Sequence, residues 1–294
     1  MDERTWLADR FEENRPHLRS VAYRMLGSIS DADYAVQEAW QRLSRADRSD
    51  VDNLPGWLTT VVARVSLNML RTRRTRREEP LEVRLPDPIV TPETGADPEH
   101  QAVLADSVGL ALLVVLDTLT PAERLSFVLH DMFAVPYEEI APMLERSPVA
   151  TRQLASRARR RVQGRAPVPD PDLGRQRQVV DAFFAAARDG DFDGLVAVLD
   201  PDVVLRADGG AARARPTVML RGARAVAENS SGARKLARFV RPALVNGAAG
   251  AVVAINGQPF AVMGFTVADD RIVAIDILYD PERLAGLDLT LPDG

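Results

Sequence analysis

Glu145 to Arg165 reads ERSPVATRQLASRARRRVQGR, and between Arg146 and Arg165 it holds seven arginines and no acidic residue. Ser147 is a good helix N-cap, and Pro148 suits the first helical position, where its missing N–H would be unpaired anyway. Ala150, Leu154, Ala158 and Val162 recur every four residues. That spacing predicts one narrow apolar stripe lying on a partner helix. Arg152, Gln153, Ser156, Arg159 and Arg160 then face outward, a set suited to base edges near the helix start and to phosphates further along.

The residues ahead of this helix turn a charge run into a reading unit. Thr120-Pro121-Ala122-Glu123 is a capping box, so a helix is expected from Pro121 to about Asp131, broken by Met132 to Val135. Pro136 opens a second, short helix, YEEIAPML, in which Pro142 should kink or shorten the run. Short helix, tight turn and basic helix make a helix-turn-helix. An isolated arginine cluster is compatible with a plain solvated face; the capped unit in front points to duplex DNA.

Charge is unevenly distributed along the 294 residues, whose net value is −5. Residues 79 to 145 carry two arginines against thirteen acids, whereas RTRRTRR at 71 to 77 and the helix above concentrate the positive charge. There is no cysteine, which excludes disulfides and thiolate metal sites. No metal or cofactor is expected. MDERTWLADRF lacks a basic, then apolar, leader pattern and no stretch of about eighteen apolar residues occurs, so a soluble, cytoplasmic protein is expected.

Phe11 to Leu26 shows a helical period ended by Gly27. Ser30 is the expected cap of a helix that turns Val36, Trp40 and Leu43 to one side and Asp33, Gln37, Glu38 and Gln41 to the other. A long helix from Gly56 to about Arg77 buries Leu58, Val61, Val62, Val65 and Leu70. Trp57, Arg64, Asn68 and Arg71 share another face, a mixture of aromatic and cationic groups suited to single-stranded DNA. Trp57 serves equally as a core anchor. Residues 79 to 100, with five prolines and six acids, read as a linker, and Gln101 to Asp117 resumes a helix.

DADYAVQEAWQRL, PGWLTTVVARVSLNMLRTRRTRR and LTPAERLSFVLHDMFAVPYEEIAPMLERSPVATRQLASRARRRV together resemble regions two and four of extracytoplasmic-function sigma factors, over about residues 7 to 165. The resemblance implies two all-α domains, region two at 1–78 and region four at 101–165. It implies core RNA polymerase as partner, contacted by Asp33, Gln37, Glu38 and Gln41. Asn53, Trp57, Arg64, Asn68 and Arg71 would hold the melted −10 strand, and Arg152, Gln153, Ser156, Arg159 and Arg160 would read the −35 duplex.

After a second linker, 166–174, the pattern changes. An amphipathic helix at Val179 to Ala187, a short helix, a strand near Val203 to Ala207 and a helix after Gly222 precede three or four strands with Asn-Gly and Asp-Asp turns. This is an α+β order, read as a curved antiparallel sheet with helices. Residues 175–294 resemble SnoaL-like, ketosteroid-isomerase-like domains (the cystatin-like class), and the whole chain resembles the sigma-J type of sigma factor. That type carries motifs seen here as Arg84-Leu85-Pro86-Asp87-Pro88, Asp208-Gly209-Gly210-Ala211-Ala212 and Asp280-Pro281-Glu282-Arg283-Leu284. The loop has lost its lysine and the linker its tryptophan. The resemblance implies control by the appended domain, through Asp208, Gly209, Gly210, Asp280, Pro281 and Leu284. Two other readings stand beside it: a polymerase-independent DNA-binding regulator whose C-terminal domain senses a small-molecule ligand, and a cyclase or isomerase fused to a DNA-binding part, with Asp208 and Asp276 as its carboxylates.

Overall fold

Local capping signals set most helix ends. Gly27, at φ 66°, stops α1 (Glu3–Leu26) by donating its N–H to the Tyr23 carbonyl at 2.8 Å. The next cap is Ser28, two residues earlier than the sequence predicts: its hydroxyl accepts the Asp31 N–H at the start of α2 (Ile29–Leu43). α3 runs Leu54–Arg76, with the Asn53 side chain accepting the Gly56 N–H at 3.1 Å. In the computed structural model, the described residues are 3–45, 53–76, 84–93, 109–210, 216–232, 234–287 and 289. The expected helix at Gln101 to Asp117 is therefore described from its later part, α4 (Leu110–Asp117); residues 101–108, together with Arg77, Ala211 and Ala212, lie outside the described residues.

The chain divides into two compact units: Met1–Pro80 with Val115–Arg165, and Leu81–Val114 with Ala166–Gly294. In the first, α1 to α3 pack with α5 (Pro121–Phe127), which continues as a π-helical turn Val128–Met132, then α6 (Tyr137–Leu144) and α7 (Pro148–Gln163). The Thr120–Glu123 capping box is present in both directions. Pro142 does not break α6: it is exposed within an eight-residue helix, so only one solvent-side hydrogen bond is forgone. Helices from both expected DNA-binding segments share one core, in which Phe11, Leu18, Met25, Leu58, Leu67, Leu116, Leu125, Leu129 and Ile140 are essentially fully buried.

The turn between α6 and α7 places Glu145 at φ 55°, a left-handed C-cap that a side chain adopts at some cost. Glu145 is exposed. Glu145→Gly should therefore stabilise the unit by about 0.5–1 kcal/mol, measured by urea denaturation; an unchanged midpoint would mean that Glu145 holds this turn by contacts a glycine lacks.

The second unit is a seven-stranded sheet with α8 (Leu173–Asp189), α9 (Phe192–Val198) and α10 (Ala223–Gly232) packed on it. Its strands are β1 (Val90–Thr91), β2 (Leu199–Asp208), β3 (Val218–Arg221), β4 (Val240–Val245), β5 (Ala248–Ile255), β6 (Gln258–Ala268) and β7 (Arg271–Leu278), in the order β1-β4-β5-β6-β7-β2-β3. The hairpin turns form where Asn-Gly and Asp-Asp stand: Asn246, Asn256, Asp269 and Asp270 all have φ between 50° and 60°. The expectation of an antiparallel sheet needs correction, since β2 runs parallel to β7 and the sheet is mixed. The fold class holds nonetheless: all-α segments are followed by an α+β unit. Its core is Val180, Phe183, Leu195, Leu199, Val203, Phe265, Ile272 and Ile275, with the rings of Phe183, Phe184 and Phe265 meeting edge to face at 5.5 Å.

Candidate nucleic-acid interface

On α7 the buried positions are Thr151, Ala155 and Ala158, with Ala150, Leu154 and Val162 only half-buried. The apolar stripe is thus rotated by about one residue from the expected one, because Thr151 turns inward and donates its hydroxyl to the Ser147 carbonyl at 3.0 Å. The rotation sorts the five expected duplex readers. Arg152, Gln153 and Arg160 are exposed, and Ser156 is half-buried. Arg159 is committed internally: its Nε donates to Asp131 at 2.7 Å, and Asp131, followed by Tyr137, raises the guanidinium above its usual pKa. Arg152 lies over the Tyr137 ring at 5.4 Å, and that ring stacks on His130 at 3.8 Å. A flexible arginine is thereby held over a rigid aromatic pair. Arg161 and Arg157 face the buried Glu123 at 3.1 and 3.9 Å. Burial raises the Glu123 carboxyl, but the Thr120 hydrogen bonds and then the two arginines outweigh it, leaving its pKa below the ordinary value. Val149, at 67% exposed, and Arg146 complete the outer face near the helix start. The period-based reading missed both because neither belongs to the stripe or to its opposite face.

On α3, Arg64, Asn68 and Arg71 are exposed and Trp57 is half-buried. Asn53 serves as a helix cap as well as standing at the head of this row. On α2, Asp33 is paired with Arg19 at 2.7 Å, Gln37 is exposed, and Glu38 and Gln41 are half-buried. A groove of about 350 Å³ runs between the two helices, with Tyr34, Glu38 and Arg42 on one wall and Val65, Asn68, Met69, Thr72 and Arg73 on the other. The α2 and α3 sets therefore border a shared groove. Tyr34, 55% exposed, is its large aromatic, passed over because it falls between two buried positions.

In the second unit the three motif segments converge. Asp208 is buried and accepts hydrogen bonds from the Leu85 N–H at 2.8 Å, the Gly210 N–H at 3.0 Å and Arg283 Nη1 at 2.7 Å. Arg283 also donates through Nε to Asp87 at 2.8 Å and through Nη2 to the Leu85 carbonyl at 2.6 Å. Asp280 caps α11 (Pro281–Ala285), whose Leu284 is buried, and Gly210 is needed because a side chain there would run into Asp280. The segment beyond is built into the sheet: β1 pairs with β4, and the Asn246 side chain and backbone bracket Ile89. Arg177 then pairs with Glu93. The cation at this junction is Arg283 of the tail, and Arg283, Arg177 and Asn246 were not singled out in the sequence because the partners named here lie 75 to 198 residues away.

Asp276, the other carboxylate considered for catalysis, is 2% exposed and held by Arg206 Nε and Nη2 at 2.6 and 3.1 Å. Among the described residues no group of His, Cys, Asp or Glu is placed to hold a metal, and no helix is long and apolar enough to cross a membrane.

Residues 10–76 match the family Sigma-70 region 2, and residues 109–162 match Sigma-70, region 4. The ECF RNA polymerase sigma factor SigJ of Mycobacterium tuberculosis is 39% identical over 300 residues, covering 96% of this chain and 91% of that protein. A probable ECF RNA polymerase sigma factor, SigI, of the same species is 34% identical over 287 residues, covering 96% of each. The crystal structure of the M. tuberculosis SigJ superposes with a TM-score of 0.77 at 36% identity, covering 96% of this chain and all of that one. With both sigma regions matched in order and relatives of this identity spanning nearly the whole chain, the protein belongs to the extracytoplasmic-function sigma factor family.

Proposed function

We propose that this sigma factor brings core RNA polymerase to promoters through three faces and is restrained or licensed by its own second unit. Core polymerase docks on the exposed side of α2 (Asp33, Gln37, Glu38 and Gln41, with Tyr34). The α3 row Asn53, Trp57, Arg64, Asn68 and Arg71 holds the opened −10 strand. The start of α7 reads the −35 duplex through Arg152 and Gln153, with Arg146 and Val149 beside them, while Ser156 and Arg160 support the backbone side and Arg159, of the five expected readers, is held back by Asp131. The observation that carries this reading is the presence of two separate cationic faces, one on a helix-turn-helix and one beside an aromatic groove. Duplex reading needs a helix in the major groove, whereas holding a melted strand needs stacking and phosphate contacts. Melting opposes stacking of about 1.4 kcal/mol per base step, so a partner polymerase must share the load. Such a protein works in the cytoplasm.

The second unit acts by contact rather than turnover in this reading. Its support is that Asp208 and Asp276 are both engaged by arginines and that Phe183 and Phe184 of α8 pack against Phe265 of the sheet.

Run-off transcription with core polymerase on a promoter library tests the proposal. A promoter-dependent product is expected from the full chain, from a chain ending at Arg165, or from both; none from either would sink it. The cut belongs at Arg165, since ending the chain near residue 205 would sever β2. Arg152→Ala should weaken −35 duplex binding by about 1–3 kcal/mol in a gel-shift titration and leave core-polymerase capture intact. Loss of core capture would show that α7 is assigned wrongly.

A further inference from the structure

The first unit holds a cavity that none of these roles uses. It measures about 250 Å³ and is walled by Leu70, Arg73 and Arg74 of α3 and by the segment from Asp117 to Arg124. Three arginines line it against one carboxylate, Asp117. Arg73 is already neutralised, being ion-paired with Asp31 and donating to the Leu26 carbonyl at 3.1 Å. Arg74 is exposed and forms no ion pair among the described residues.

Arg124 is the unusual member. It is 2% exposed, the bulkiest of the fully buried side chains. Its Nε donates to the Arg24 carbonyl at 3.1 Å and its Nη1 to Asp117 at 3.0 Å, while its buried Nη2 meets no acceptor among the described residues. Asp117, its one carboxylate partner, is 35% exposed at the side chain, so water weakens the compensation it offers. A buried cation short of counter-charge is expensive, and burial accordingly pulls the Arg124 pKa down against the opposing effect of Asp117.

We propose that this cavity binds a small, multiply charged anion of the phosphate class, inorganic pyrophosphate or the phosphate groups of a nucleotide. Arg74 makes the contact, Arg124 adds its charge from behind the wall, and Leu70, Leu119 and Pro121 close the sides. A cation is excluded by the arginines. The volume lies just under the usual range for drug-sized ligands, which favours one or two phosphate groups over a whole nucleotide. Because the walls come from α3 on one side and from the Asp117 to Arg124 segment on the other, an anion seated there ties the two together and stabilises the unit by mass action. The inference stands independently of the promoter reading, since it is read by binding alone.

The probe is sodium pyrophosphate, titrated calorimetrically into the full-length protein against sodium chloride at matched ionic strength. One saturable site is expected. Arg74→Ala should weaken it about tenfold or more, the loss of one charge-assisted hydrogen bond, whereas Arg74→Lys should keep most of the affinity. Arg188→Ala, on the exposed outer side of α8, should change nothing. Circular dichroism of Arg74→Ala should match the parent chain, which separates loss of the site from loss of the fold. The proposal is overturned by the absence of saturable heat, by an unchanged Arg74→Ala, or by an Arg188→Ala that weakens binding as much, which would mark a general field effect. It is also overturned if promoter duplex displaces pyrophosphate and Arg74→Ala loses both, since the cavity would then be a DNA contact.

Discussion

Replacing Arg283 by alanine should destabilise the second unit by about 3–5 kcal/mol and loosen the Leu85 to Thr91 segment from the sheet. The size follows from what is left behind. Arg283 is 17% exposed at its side chain, Asp208 is 6% and Asp87 is 11%, so removing the cation takes the shared counter-charge from two nearly buried carboxylates and a charged donor from the Leu85 carbonyl. Asp208 would still accept the Leu85 and Gly210 N–H groups, which keeps the loop formed while the linker loses its strongest tie. What remains is a two-residue β1 ladder with β4, the Ile89–Asn246 hydrogen bonds and the Arg177–Glu93 pair, too short an anchorage to keep the segment closed throughout. Arg283→Lys should fall between the two, since a point charge cannot reach both carboxylates and a carbonyl as a planar fork does.

Two measurements check this. Thermal unfolding reports the loss, and hydrogen exchange of the peptide containing Leu85 and Ile89 should speed up clearly as the segment opens more often. If the stability change stays within about 0.5 kcal/mol, the range of an ordinary surface substitution, and the peptide stays protected, the clasp does not hold the linker. Run-off transcription by the same variant then gives the sign of control. A rise means that docking of the linker restrains the sigma regions; a fall means that docking is needed for their use.

How far the sequence carries such arguments depends on range. Ser147, the Thr120–Glu123 box, Gly27 and the Asn-Gly turns act within four residues, and each was legible. The rotation of α7 was not, because it depends on whether Thr151 bonds its own backbone, which a period cannot register. Nor was the choice of Ser28 over Ser30 as cap, two hydroxyls of equal propensity. The exposed arginines of α7 were legible as a face, but Arg159 left that face for Asp131, 28 residues earlier. The linker's entry into the sheet was hidden most deeply: a proline-rich acidic stretch gives no strand period, and its partners lie more than eighty residues away. The mixed sheet has the same origin, since the parallel pairing of β2 with β7 joins segments some seventy residues apart.

The pair Arg206–Asp276 should show the opposite behaviour to the clasp, with either single deletion costly and the joint apolar replacement not. Arg206 of β2 stands opposite Asp276 of β7 in the parallel register, and both Asp276 oxygens are occupied by the guanidinium. Burial pushes the Asp276 carboxyl up and outweighs the pull of Arg206, and well-packed apolar residues of similar volume often match or exceed a buried ion pair in stability. Asp276→Ala, which leaves Arg206 buried without its partner, should lose about 3–5 kcal/mol, while Arg206→Leu with Asp276→Leu should come within about 1 kcal/mol of the parent chain or exceed it. A folded pKa above the unfolded one means that Asp276 contributes most below the ordinary aspartate value and less as pH rises through its raised value. The parent chain should therefore lose ground against the double variant in urea titrations as pH rises through that window; a gap that widens the other way would mean that the pair stabilises. The same variants separate packing from chemistry. A carboxyl that moves protons must reach a substrate, whereas Asp276 is 2% exposed and each of its oxygens accepts from Arg206. The double variant should thus keep the parent's transcription profile, and a folded double variant that loses it would return Asp276 to an active role.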